Sequence, residues 1–119
     1  MGRGITESER MKKKILHLSI QKKWFDMIAR GTKDTEYRGI KKYWYHRLYY
    51  GYYTLNPEPI KFDEVHFRNG YTKNSPFMRV KWKATQIGMW DDKRHFAIQL
   101  GKILEIKNWR KNENNTRMG

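Results

Sequence analysis

The stretch ILHLSIQKKWFDMIARGTKDTEYR, from Ile15 to Arg38, decides the fold because its hydrophobic period changes twice. Leu16, Leu18 and Ile20 alternate with His17 and Ser19, the pattern of a short half-buried strand. Ile20, Trp24, Met27 and Ile28 then recur at i, i+4, i+7 and i+8, which predicts an amphipathic helix over Ile20–Arg30. Ser19 is placed to cap it, its hydroxyl accepting a free backbone N–H. Gly31 supplies the left-handed residue that commonly ends such a helix. Beyond it the period returns to two: Asp34, Glu36 and Arg38 share one strand face, and Thr35 and Tyr37 the other.

Outward from this unit, KKYWYHRLYYGYY pairs Trp44 with Leu48 and Tyr45 with Tyr49, predicting a second short helix before Gly51. Asn56–Pro59, NPEP, reads as a turn. Val65 and Phe67 belong to a strand that ends at Asn69-Gly70, with a hairpin whose loop runs through Pro76. FMRVKWKAT alternates cleanly, Met78, Val80, Trp82 and Ala84 against Arg79, Lys81 and Lys83. HFAIQLGKILEI is a further strand, with Gly101 a bulge. Residues 1–11 are polar and aperiodic and read as a flexible extension. Residues 12–107 form the domain, and 108–119 a polar, frayed tail. The expected fold is α+β, a small curled sheet or barrel with two or more short helices at its ends.

At 119 residues the chain has room for one core. Only 38% of residues are hydrophobic, but aromatics reach 15%, too many for a disordered chain. The absence of cysteine excludes disulfides, thiolate metal sites and a Cys nucleophile, and suits a reducing cytoplasm. No apolar run is long enough to span a membrane. The formal charge is +14, and residues 1–60 and 61–119 each hold 13 basic and 6 acidic side chains. Charge spread so evenly through a fold points to a polyanion partner, RNA or DNA, rather than to one basic tail.

The Ile15–Arg38 stretch, followed by IKKYWYHRL, FRNGY and FAIQLGKILEI, resembles the ASCH domain, over about Met11 to Ile106. The most specific element is GTKDTEYR, a Gly-x-Lys-x-x-polar-x-Arg pattern after the first helix. The resemblance implies a PUA-like barrel with a cleft beside that helix, and association with RNA; compact bacterial and phage chains share the order of segments. It also implies that some members are hydrolases, one branch deacetylating acetylated cytidine and at least one member cleaving RNA. That amidohydrolase branch has a catalytic Lys at the position of Lys33 and a Thr where this chain has Glu36.

The expected function is binding of RNA or a modified nucleotide in that cleft, and the candidate cleft residues are Lys33, Glu36, Arg38, Asn69 and Tyr71. Without the resemblance, Glu36 and Arg38 would read as a surface ion pair of little weight, and Asn69 as a turn former. With it, the carboxylate accepts a base amine and the guanidinium meets phosphate or a carbonyl. Tyr71, held outward by its turn, is the stacking candidate, whereas most of the rings from Tyr43 to Tyr53 are needed for the core. Arg79, Lys81 and Lys83 form a basic row, either phosphate contacts or a solvated face. The alternative is a hydrolase in which Lys33 helps activate the attacking group and Glu36 shuttles a proton. Activation would need the Lys33 pKa lowered, whereas Asp34 and Glu36 favour its charged form. A third reading is a protein-interaction module. His17, His46, His66 and His95 lack metal-ligand spacing, and neither metal nor cofactor is expected.

Overall fold

The computed structural model describes residues 12–109; the expected N-terminal extension and most of the expected tail lie outside them. Strand β1 (Ile15–Ser19) leads into helix α1 (Lys22–Ala29) and strand β2 (Thr35–Gly39). Helix α2 (Lys42–Leu48) follows, then the two-residue strands β3 (Tyr49–Tyr50) and β4 (Glu58–Pro59). Strands β5 (Glu64–Arg68), β6 (Phe77–Trp90) and β7 (Lys93–Lys107) complete the fold. Five strands make one sheet in the order β1-β5-β6-β7-β2, and β3 pairs with β4 apart from it. The fold is thus α+β, a curled half-barrel with two short helices.

Alternation places the core. Leu16 and Leu18 of β1, Val65 and Phe67 of β5, Met78 and Val80 of β6, and Phe96, Ile98 and Leu100 of β7 are buried on the inner face. Phe25 and Ile28 of α1 and Leu48 of α2 close over them. Phe25 was not on the expected helical stripe; Trp24, which was, is only partly buried.

The first helix is shorter than the expected Ile20–Arg30, because Ile20 donates its N–H to the Arg68 carbonyl at 3.1 Å and so extends the sheet. Ser19 ends β1 instead of capping; the N-cap is Gln21, with no side-chain cap bond. Gly31 does terminate the helix, at φ +83°. Asp34 precedes β2, and its carbonyl accepts the Leu100 N–H at 2.9 Å. Tyr49 leaves the second helix for β3, and half of the expected NPEP turn is β4, whose Pro59 sits opposite Tyr49. Strand β6 runs on to Trp90 and turns through Asp91 and Asp92, both at positive φ (56° and 64°), directly into β7. That tight hairpin carries neither glycine nor asparagine, so its turn signal is faint. Gly101 lies at one of three register irregularities between β6 and β7, where a Cβ would press on Lys81 and Lys83.

The sheet's two edge strands, β1 and β2, are joined by side chains instead of a ladder. Arg38 of β2 donates to the Ser19 carbonyl at 2.9 Å, and Arg47 of α2 donates to the His17 carbonyl at 3.0 Å. Two edge carbonyls of β1 are thereby satisfied, which removes that edge as a template for another strand.

Candidate nucleic-acid interface

Glu36 and Arg38 pair with Ile98 and Phe96 across β2 and β7, so both point to the inner face at the open seam of the half-barrel. Glu36 is only 5% exposed. Its Oε2 accepts from Arg38 at 2.9 Å, and the Lys33 Nζ lies 3.7 Å from Oε1. A carboxylate so buried must be compensated, and these two cations do it. Lys33 also donates to the Thr35 carbonyl at 2.6 Å and lies about 5 Å from the Trp24 and Tyr37 rings. Arg38 and Arg47 both rest against Trp44, at 4.9 and 5.2 Å. Asp34 stays exposed, its carboxylate accepting from the Thr35 hydroxyl.

From Arg38 the site continues through Ser19 to the β5–β6 loop. Asn69 Nδ2 donates to the Ile20 carbonyl at 2.9 Å, one residue past the carbonyl that Arg38 holds. The loop is braced by its own hydrogen bonds. Asn69 N–H bonds to Pro76 O, Thr72 N–H to Ser75 Oγ, and Ser75 N–H to Thr72 O. Gly70, at φ +127°, lies so close to Ser75 Oγ that no Cβ fits. This frame presents Tyr71 to solvent at 94% exposure. The five residues expected to line a cleft thus form one chain of contacts, Lys33–Glu36–Arg38–Ser19–Ile20–Asn69, ending at Tyr71.

Arg68 is the residue the sequence reading missed. Three adjoining concavities, of about 340, 160 and 360 Å³, all include it. The first holds Tyr71, Lys73, Phe77 and Lys107; the second His17, His66 and Phe77; the third Ser19, Asn69 and Tyr71. The Arg68 guanidinium lies 4.7 Å from the Phe77 ring centre, and the Lys107 ammonium 5.2 Å from the same ring. Among the described residues none of Arg68, Lys73 and Lys107 has an ion-pair partner. Like charges converging without a carboxylate favour an anion between them.

The basic row is divided. Arg79 is taken up by carboxylates, Nη1 to Glu64 at 2.8 Å and Nε to Glu105 at 2.9 Å, and these hold its charge. Lys81 and Lys83 remain exposed. Glu64, 3% exposed, also accepts from Lys13 at 2.8 Å and faces His66 Nε2 at 2.9 Å. Burial alone would raise its pKa, but bonds from Lys13, His66 and Arg79, with the Arg79 charge, bring it down to about 2.

The register of β1 against β5 sets His17 beside His66, their rings edge-on with centres 5.2 Å apart. Burial, then the neighbouring His66, Arg47 and Arg68, push the His17 pKa below the usual imidazole value. No group of three or more potential metal ligands gathers among the described residues, and no helix there is long and apolar enough to cross a membrane. No family model matches the chain, and comparison with curated proteins and with solved structures gives no match.

Proposed function

We propose that this protein is a nucleic-acid-binding domain of the ASCH kind, taking single-stranded RNA in the groove that runs from Tyr71 across Arg68 to the Arg38 seam. The observation that carries this reading is the meeting of three concavities at Arg68, where Lys73 and Lys107 add charge that no carboxylate among the described residues pairs with, and Tyr71 stands exposed beside them. Phosphates take the cations, and an unpaired base stacks on Tyr71, a contact worth about 1–3 kcal/mol. Asn69 and the Glu36–Arg38 pair shape the wall against which the base edge lies. A duplex keeps its bases stacked inside and has nothing to offer Tyr71.

The test is binding of a labelled single-stranded RNA at two salt concentrations, beside a duplex of the same length. Wild type should prefer the single strand, with affinity falling steeply as salt rises. Arg68→Ala should weaken binding and flatten the salt slope, whereas Tyr71→Ala should weaken binding and leave the slope alone. Equal affinity of both variants and wild type at physiological salt would sink the placement.

A further inference from the structure

We infer that the groove also cleaves the RNA it binds, His17 and His66 acting as an acid–base pair on a phosphodiester held by Arg68. This rests on the RNA-binding reading and assigns it a reaction. In sequence the two histidines are 49 positions apart and share no motif; the parallel pairing of β1 and β5 makes them direct cross-strand neighbours. Arg68 lies two residues beyond His66 on the same strand face, opposite Ser19. All three side chains line one concavity of about 160 Å³, closed on one side by Phe77.

Single-stranded RNA brings its own nucleophile, the 2′-hydroxyl, so the protein has to supply only charge and proton transfer. His17 takes the proton of the 2′-hydroxyl as the 2′-oxygen attacks phosphorus. The bond from phosphorus to the 5′-oxygen breaks, and that oxygen takes a proton from His66. The products are a 2′,3′-cyclic phosphate and a 5′-hydroxyl, after which the two imidazoles exchange protons with water. Arg68 faces the non-bridging oxygens while charge builds on them.

The two rings sit in different surroundings. His17 is exposed, and its burial cost and then its neighbours His66, Arg47 and Arg68 favour its neutral form, which is the base. His66 faces the Glu64 carboxylate through Nε2, an arrangement that orients the ring. Its Nδ1 has no hydrogen-bond partner among the described residues and is the nitrogen left to give up a proton. Lys33 and Glu36 play no part in this chemistry, since their polar ends are occupied by Thr35 and Arg38.

The experiment incubates the full chain, in EDTA, with a labelled single-stranded RNA and with its 2′-O-methyl counterpart. Products are read by mass spectrometry and binding by anisotropy. The expected result is fragments ending in 2′,3′-cyclic phosphate and 5′-hydroxyl, with the 2′-O-methyl strand bound and intact. His17→Gln should slow cleavage by roughly 10²–10⁴-fold while still binding the 2′-O-methyl strand. His66→Gln should do the same, and its urea midpoint, measured alongside, separates lost chemistry from lost fold.

RNA retained in a salt-sensitive complex and left intact would overturn the reaction and leave the binding function standing. Cleavage undiminished in His17→Gln, or fragments with other ends, would overturn it equally. A strand neither bound nor cut would remove both readings.

Discussion

Replacing Glu64 by glutamine tests the polar network that holds the outer face of β1, β5 and β6 together. The side chain is buried and accepts from Lys13, His66 and Arg79. Its pKa is about 2 in the fold against 4.5 ordinarily, a depression equivalent to about 3 kcal/mol at most. Screening at the exposed Lys13 end reduces that, so a loss of about 2–3 kcal/mol at pH 7 is expected. Against the 5–15 kcal/mol that holds an ordinary domain, that is a large share. Because the folded pKa is the lower one, the stabilisation is complete above about pH 4.5 and fades as the pH falls toward 2. Urea unfolding followed by tryptophan fluorescence, for wild type and Glu64→Gln from pH 7 down to pH 3, reads this directly. The gap between the two proteins should be constant from pH 7 to pH 5 and close below it, other carboxylates cancelling in the difference. A gap as wide at pH 3 as at pH 7 would mean that packing, not charge, sets the loss, and no gap at pH 7 would refute the network.

Arg38→Ala should destabilise the fold by about 3 kcal/mol in the same urea assay, because it strips the buried Glu36 of its closest cation and frees the Ser19 carbonyl. Gly70→Ala should lower the thermal midpoint and weaken RNA binding together, since a Cβ there displaces Ser75 and the loop that presents Tyr71. Asp92→Gly, at φ 64°, should raise stability by up to about 1 kcal/mol with RNA affinity unchanged, as read by urea midpoint and anisotropy. His17→Gln should flatten the stability profile below about pH 6.5. The depressed His17 pKa makes wild type lose stability as the pH falls from there through the folded value.

The sequence by itself determined the elements whose signals are local. Period-two runs marked β1, β2, β6 and β7, the i, i+4 spacing and Gly31 marked α1, and FRNGY marked the turn that exposes Tyr71. The face shared by Glu36 and Arg38 was legible because side chains alternate along any strand. Only the tertiary structure decided what those faces meet. Arg79 reads as one of three free cations in FMRVKWKAT, yet Glu64 and Glu105 arrive from two neighbouring strands to occupy it. The absent ladder between β1 and β2 is replaced by Arg38 and Arg47 reaching edge carbonyls, which no run of residues announces. His17 and His66 look like unrelated strand residues, and Arg68, Phe77 and Lys107 look like three separate strand ends. They become one groove because β5 lies between β1 and β6, parallel to one and antiparallel to the other, and β7 borders β6. Strand order and register are settled by burying the inner faces of five strands at once, a sum over the whole chain that no local window contains.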